Sequence, residues 1–318
     1  MILQEVKALK GSYHFVEMIP NNEKMILFSN KARLYDLYSE KTIQFIPGMS
    51  NGIATIAHNK KTLCIISAKG NHIFFEQYLF DNVLTRIRQV AIKGVNSDGG
   101  KPSFSPDDRY VIFSIDAKRL YRYDCNTGDL QCIYQPRWQD QFLTFHMDGE
   151  KVLIHLKSFS NYTDHIGFEI ININGQLLHK INFHENSVAF RSSIFVDWLS
   201  NDTILIYYAL QLAAKEDLYQ IIPLESSTLF YVSDAGYASI SKEVLCCSLE
   251  CTHDHKYVVI SNYNYKNTYS DISIYTSDTM QKVFQFDFPQ IHSINVSADS
   301  RYIFISADKN YLLNLNDP

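Results

Sequence analysis

Five cysteine and histidine side chains lie within ten residues of one another and have the chemistry to bind a metal. They are Cys246, Cys247, Cys251, His253 and His255. Thiolates and imidazoles are the ligands of tetrahedral zinc sites. Cys246 and Cys247 are adjacent, however, and adjacent residues of a strand point to opposite faces. We therefore predict small core cysteines and exposed turn histidines here, with no metal and no cofactor.

The residue patterns of nucleophilic catalysis and of phosphate binding are missing from the sequence. There is no serine in a glycine-rich elbow. The stretch Ser97-Asp98-Gly99-Gly100 lacks the Lys-Ser/Thr ending of a phosphate-binding loop. His146 falls in a mostly apolar column of the repeat described below, which indicates a core histidine. No catalytic residue is predicted.

Composition favours a β-rich protein with a large core. The chain has 318 residues, of which 46 % are apolar, with 21 Tyr and 20 Phe. The net charge of −5, with Lys and Arg scattered singly, argues against nucleic-acid binding. The longest apolar run, Ile204 to Ala214, is too short to cross a bilayer, and the first residues lack the apolar core of a signal peptide. We expect a cytoplasmic monomer with reduced cysteines that binds neither nucleic acid nor membrane.

The stretch from residue 101 to residue 134 contains four short β-forming runs joined by polar turns. A run ending at Phe104 is followed by the turn Pro106-Asp107-Asp108 and a second run from Tyr110. A third run covers Arg119 to Asp124, and a fourth covers Leu130 to Tyr134. Runs of this length with Asn, Asp and Gly between them predict an antiparallel meander.

The turn before the second run recurs along the chain. With Arg109 as the reference, equivalent positions are Lys24, Lys61, Lys151, Thr203, Lys256 and Arg301. Two residues before these positions stand Asn22, Asn59, Asp107, Gly149, Asn201, Asp254 and Asp299. Six of these seven residues are Asn or Asp, which stabilise turns through side-chain bonds to the backbone. The sequence therefore predicts seven repeated units.

Four strands in each unit of about 40 to 50 residues are typical of β-propeller blades. We predict an all-β, seven-bladed propeller in a single domain over residues 1 to 318. The seventh unit ends after three strands, and the otherwise unassigned run Ile2 to Leu9 could supply its fourth. We predict that this N-terminal strand completes the last blade and closes the ring.

The motif Pro102-Ser103-Phe104-Ser105-Pro106-Asp107, followed by Arg109-Tyr110-Val111, resembles the repeat of TolB-type and WD-repeat-like propellers. A partial form occurs at Val296 to Tyr302. The Gly-His and Trp-Asp dipeptides of the WD repeat are missing from every unit. The resemblance implies the propeller scaffold, which supports many functions and specifies none.

Units four, five and six have long segments between their predicted second and third strands. These segments are Lys157 to Gly167, Tyr207 to Asp217 and Asn262 to Asp271, and all three would emerge on one face. We call this face, with the segments that link one unit to the next, the crown. Trp, Tyr and Arg are enriched at binding hot spots. The predicted partner-binding residues are Arg137, Trp138, Phe159, Tyr162, Phe190, Arg191, Tyr208, Tyr237, Tyr263, Tyr265 and Tyr269.

These residues favour a non-catalytic scaffold that binds another protein through the crown. Two alternatives stay open: a propeller hydrolase or lactonase with a site at the central channel, and a propeller that binds a sugar or small ligand. The richness in Asn, Lys, Ile and Tyr is typical of an AT-rich genome and is compatible with a bacterial effector acting on a host protein.

Overall fold

The computed structural model describes most of the chain, and every regular element in the described part is a β-strand. The described residues are 1–6, 9, 13, 15–19, 24–28, 32–46, 52–69, 71–93, 102–115, 118–135, 141–158, 165–184, 193–200, 203–210, 226–233, 236–240, 246–264 and 269–315. This part contains no helix that could cross a membrane.

The strands form seven four-stranded antiparallel sheets, numbered here in chain order. The first strand of the chain, β1 (Ile2–Glu5), belongs to the last sheet. Sheet 1 contains β2 (Phe15–Ile19), β3 (Lys24–Phe28), β4 (Ala32–Asp36) and β5 (Lys41–Ile46). Sheet 2 contains β6 (Gly52–Ile56), β7 (Thr62–Lys69), β8 (His72–Asp81) and β9 (Val83–Lys93). Sheet 3 contains β10 (Ser103–Phe104), β11 (Tyr110–Ile115), β12 (Arg119–Asp124) and β13 (Leu130–Tyr134).

The remaining four sheets follow the same order. Sheet 4 contains β14 (Gln141–Asp148), β15 (Lys151–Ser158), β16 (His165–Asn172) and β17 (Leu177–His184). Sheet 5 contains β18 (Ser193–Ser200), β19 (Thr203–Leu210), β20 (Ser226–Ser233) and β21 (Gly236–Ile240). Sheet 6 contains β22 (Cys246–Cys251), β23 (Tyr257–Asn264), β24 (Tyr269–Thr276) and β25 (Lys282–Phe288). Sheet 7 contains β26 (Ser293–Val296), β27 (Tyr302–Ser306), β28 (Asn310–Asn314) and β1.

The recurring turn found in the sequence precedes the second strand of every sheet. In each of the seven units the reference residue is the first residue of that strand or the residue just before it. Non-glycine residues adopt positive φ in four of these turns, at Lys60, Asp108, His255 and Ser300. Because such backbone angles are uncommon outside glycine, their recurrence at one position indicates a shared turn geometry.

The first strands of the sheets lie around a common axis. Contacts join β2 to β6, β6 to β10, β14 to β18, β18 to β22, β22 to β26 and β26 back to β2, while β11 contacts β14. Apolar clusters fill the spaces between adjacent sheets, as where Ile26 and Leu34 of sheet 1 pack with Leu63 and Ile65 of sheet 2. Four-stranded sheets packed face to face around an axis form a β-propeller, which confirms the predicted all-β propeller.

The first strand pairs with the last one. β1 runs antiparallel to β28, with Ile2 opposite Asn314 and Glu5 opposite Tyr311. The amide of Val6 extends this ladder by donating to the Asn310 carbonyl over 2.8 Å. The regular strand thus ends at Glu5, four residues earlier than the predicted end at Leu9.

The predicted boundaries of unit five were wrong. Because the connecting segment Tyr207 to Asp217 was predicted to end at residue 217, the third strand was expected over Leu218 to Pro223, whereas β20 occupies Ser226–Ser233. The eight-residue ladder that pairs Thr203 with Ser233 and Leu210 with Ser226 selects this segment. Residues 218 to 223 and β20 are both rich in strand-forming residues, so the local sequence does not distinguish them. Pairing with β19 therefore decides which segment forms the third strand.

Candidate functional site

The predicted crown residues fall into two groups. Seven of them lie outside the described residues: Arg137, Trp138, Phe159, Tyr162, Phe190, Arg191 and Tyr265. The other four, Tyr208, Tyr237, Tyr263 and Tyr269, lie on described strands. Their assignment to connecting segments was therefore wrong, and their role in binding a partner stays a prediction.

Three of these tyrosines lie at the crown end of their sheets. Tyr208 is the third residue from the end of β19, and Tyr263 is the second from the end of β23. Tyr269 opens β24 and pairs with Asn264, while Tyr263 pairs with the next residue, Ser270. The strands continue through these positions because aromatic and β-branched residues favour extended backbone. Tyr263 and Tyr269 are consequently near neighbours on two paired strands.

Tyr237 lies at the opposite end of its sheet. It is the second residue of β21, directly after Gly236, which pairs with Ser233 at the hairpin between the third and fourth strands. Such hairpins lie at the end away from the crown, because successive antiparallel strands alternate in direction. Tyr237 is therefore not part of the crown.

The sheets differ in how far their second and third strands extend at the crown end. The second and third strands of sheets 4, 5 and 6 are all eight residues long, whereas those of sheets 1 and 7 have five and those of sheet 3 have six. With a rise of about 3.3 Å per residue, the longer strands extend about 7 to 10 Å further. Sheet 2 also has a long second strand, but its crown end carries Lys69 and His72 in place of tyrosines.

The innermost strands of sheets 4, 5 and 6 are joined by a hydrogen-bonded group around Asp197. One carboxylate oxygen of Asp197 accepts from the Cys251 amide over 2.7 Å, and the other accepts from the Trp198 amide over 2.8 Å. The Nδ1 atom of His146 lies 3.5 Å from the second oxygen. The Trp198 indole donates to the His146 carbonyl over 3.1 Å. A single side chain thus connects three sheets.

Glu250 repeats this role at the next junction. Its carboxylate accepts from the Val296 amide of sheet 7 over 3.2 Å. Asp197 stands opposite Leu205 and Glu250 stands opposite Val259, so both occupy the same place in their sheets. Both carboxylates accept hydrogen bonds from backbone amides of the following sheet, so each one joins two adjacent sheets.

Two members of the cysteine–histidine group, Cys251 and His255, have different surroundings. Cys251 is buried, and burial, together with Asp197 and Glu250, raises the pKa of its thiol well above the ordinary value. The Nε2 atom of His255 lies 3.3 Å from the Oδ1 atom of Asp148 in sheet 4. Within the part of the chain that the structure describes, no three His, Cys, Asp or Glu side chains are arranged to hold a metal ion.

A hydroxyl–carboxylate pair builds the recurring turn in three sheets. The hydroxyls of Ser105, Thr252 and Ser297 donate to Asp107, Asp254 and Asp299 over 2.6, 2.8 and 2.8 Å. The same hydroxyls accept from the amides of Tyr110, Tyr257 and Tyr302 over 2.9, 3.0 and 3.0 Å. The bond from Ser105, followed by the Arg109 amide, lowers the pKa of Asp107. The spacing Ser/Thr-x-Asp was the available sequence signal for this feature, which the repeat columns missed.

The turns also contact each other from sheet to sheet. Asp108 of sheet 3 accepts from the His58 and Asn59 amides of sheet 2 over 2.6 and 2.8 Å. Ser300 of sheet 7 accepts from the Asp254 amide of sheet 6 over 2.9 Å. In both cases the acceptor is the residue with positive φ, so the unusual backbone angle aims its side chain at the preceding sheet.

Comparison with solved structures supports the propeller fold. The chain is similar to one described as Kuenenia stuttgartiensis hydrazine synthase, with a TM-score of 0.65 over 97 % of this chain and 97 % of that chain. The two sequences are 11 % identical, so the similarity shows the fold alone. No protein-family model matches the chain. No curated protein matches its sequence.

Proposed function

We propose that this protein is a non-catalytic interaction module that binds another protein through the crown of sheets 4, 5 and 6. The supporting observation is the placement of Tyr263 and Tyr269 on two paired eight-residue strands at that end. Tyrosine offers a large apolar surface and a polar tip at low cost in side-chain entropy, which suits protein recognition. Tyr208 on the neighbouring sheet and the predicted Trp138 and Tyr265 would extend the surface.

The chemistry at the inner strands agrees with a binding role. Asp197 and Glu250 are acids near the axis, and both accept from backbone amides of the adjacent sheet. A general base needs a carboxylate or imidazole poised for a substrate proton. Acids that are used to join sheets are poorly placed for that task.

We further propose that the seven sheets are seven blades of one ring within a single domain, of the WD-repeat-like or TolB-like type. The β1 strand would close this ring by completing the last blade. A closed ring leaves no open end between the first and last sheets, which suits a rigid scaffold.

The proposal is tested with a double variant, Tyr263→Ala with Tyr269→Ala, used as bait in affinity capture followed by mass spectrometry. We expect the variant to lose a partner that the unchanged protein retains. Tyr237→Ala is the matched control, because it removes a tyrosine from the opposite end of the fold and should keep that partner. Equal capture by all three proteins, each with an unchanged melting temperature, would contradict the crown as the binding surface.

A further inference from the structure

Strand β9 is the longest strand in the described part of the chain and lies at the outer edge of sheet 2. It covers Val83–Lys93, eleven residues, and the strand order in its sheet is β6, β7, β8, β9. Only one side of its backbone therefore faces a partner strand within that sheet. Seven of its residues are exposed, and Leu84 is its one buried residue.

A side chain from sheet 1 already bonds to the outer side of β9. The Leu84 amide donates to the Gln44 side-chain oxygen over 2.8 Å, and the Gln44 side-chain nitrogen donates to the Leu84 carbonyl over 3.0 Å. A carboxamide has the same donor and acceptor as a peptide group. Gln44 thus makes, at one residue, the two bonds that an added strand would make.

The positions that face outward along the rest of β9 follow from strand geometry. Phe80 pairs with Leu84, but its amide donates to Lys61 on the other side of β8. Hydrogen-bonded and non-bonded pairs alternate along an antiparallel ladder. Glu76, Phe74 and His72 therefore also bond away from β9, and their partners Gln89, Ala91 and Lys93 turn their amides and carbonyls outward.

The charge of β9 is opposite to that of the whole chain. Residues 83 to 93 include Arg86, Arg88 and Lys93 but no acid, while the chain carries a net charge of −5. Glu76 balances the charge of Arg86 through an ion pair. The Arg88 guanidinium donates to two backbone carbonyls, of Cys125 over 2.9 Å and of Asn126 over 2.8 Å. Because these carbonyls are neutral, they do not neutralise its positive charge. Apolar surface is also present, since Ile87 is 44 % exposed.

We propose that β9 binds an extended acidic segment of a partner protein as a fifth strand of sheet 2. Main-chain bonds to Gln89, Ala91 and Lys93 would supply affinity, and the cationic side chains would select an acidic sequence. A second copy of this chain is a poorer occupant, because antiparallel pairing of two β9 strands brings like charges together. This surface is separate from the crown, and neither proposal depends on the other.

Fluorescence anisotropy with two labelled eight-residue peptides tests this binding mode. One peptide alternates Glu and Val, and the matched peptide alternates Lys and Val. We expect the Glu-Val peptide to bind the full chain at least tenfold more tightly, with an affinity that falls as salt rises. Equal affinities for the two peptides, or no binding of the Glu-Val peptide, would overturn the proposal.

Two substitutions at Ala91 isolate the role of the backbone. Ala91→Pro removes an outward amide while leaving the bonds to β8 in place, since proline is tolerated where the N–H faces away from the sheet. Ala91→Ser keeps the amide. We expect at least a tenfold loss with proline and less than a twofold change with serine. Equal binding by both variants would overturn the added-strand geometry.

A second pair of variants keeps the test decisive if the proline variant fails to fold. Ile87→Asp places a negative charge on β9, and Ile43→Asp places one on the neighbouring edge strand β5, where Ile43 is 39 % exposed. Only Ile87→Asp should weaken the Glu-Val peptide, by about tenfold. A concentration-dependent dimer that Ile87→Asp abolishes would identify a second copy as the occupant and overturn the acidic segment.

Discussion

The junction of sheets 2 and 3 is packed with aromatic rings, whereas the junctions of sheets 4, 5 and 6 depend on hydrogen bonds that a half-buried acid, Asp197, accepts. Phe75 of sheet 2 lies 4.9 Å from Phe113 and 4.3 Å from Tyr123 of sheet 3, measured between ring centroids. In sheets 4 to 6, Asp197 instead joins three inner strands. Packing of aromatic rings depends on shape and buried area, while Asp197 acts through hydrogen bonds that it accepts from two amides. The two regions should therefore respond differently to the same perturbations.

The largest effect is expected from Phe113→Ala. Phe113 is fully buried, and its loss leaves a cavity between sheets 2 and 3. We expect the free energy of unfolding to fall by about 3–5 kcal/mol, measured by chemical denaturation. Phe113→Leu, which retains most of the volume, should cost less than about 1.5 kcal/mol. A loss below about 1 kcal/mol for alanine would show that the rings do not hold this junction.

A smaller effect is expected from Asp197→Ala. The Cys251 amide loses its acceptor at a buried position, at a cost of about 1–3 kcal/mol in the free energy of unfolding. Asp197→Asn is the matched control, because its side-chain oxygen still accepts one bond. The asparagine variant should be the more stable of the two. If asparagine and alanine were equally destabilising, the charge of Asp197 would matter more than its bond to Cys251.

The recurring turn is common to both regions, so its loss should cost the same in each. Ser105→Ala in sheet 3 and Thr252→Ala in sheet 6 each remove a hydroxyl that donates to an acid and accepts from an amide. We expect each variant to lose about 0.5–1.5 kcal/mol in thermal or chemical unfolding. Thr252→Ser keeps the hydroxyl and should stay close to the unchanged protein. Unequal losses at the two turns would show that the surrounding junction, rather than the turn itself, sets the cost.

The smallest expected effect is on the loss of stability at low pH. The pKa of Asp107 is lower in the folded protein than in the unfolded chain because of the bonds from Ser105 and the Arg109 amide. The unfolded state then binds more protons, so this contribution is present above the unfolded pKa of about 3.9 and is lost as the pH falls through the folded pKa. Ser105→Ala should raise the pKa of Asp107, measured by NMR titration of its carboxyl carbon. An unchanged titration would show that the hydroxyl bond has no influence on this carboxylate.

The sequence was most informative where structure is decided locally. The turn before each second strand was predicted from Asn and Asp at one position, and every second strand begins two or three residues after that position. Turn residues act on backbone within a few positions, so a single sequence displays them. The propeller fold followed from the recurrence of that turn.

The strand ends and the inner-strand hydrogen bonds were not predictable in the same way. β19 continues through Tyr208 because it pairs with β20, and β20 lies beyond the segment that the local pattern favoured. Asp197 and Cys251 are 54 residues apart, and their bond exists only once sheets 5 and 6 are adjacent. Tyr237 was misplaced for the same reason, since its end of the sheet depends on which segment forms the third strand.

The pairing of β1 with β28 sets the order in which the protein is completed during synthesis. Residue 2 leaves the ribosome well before its partner, residue 314, which lies about 300 positions further along the chain. At about 5–20 residues per second, β1 waits roughly 15–60 seconds for that partner. Sheets 1 to 6 can form in turn as they emerge, whereas sheet 7 cannot acquire β1 as its fourth strand until β28 has been made. Completion of sheet 7 therefore comes after the other six sheets have been made.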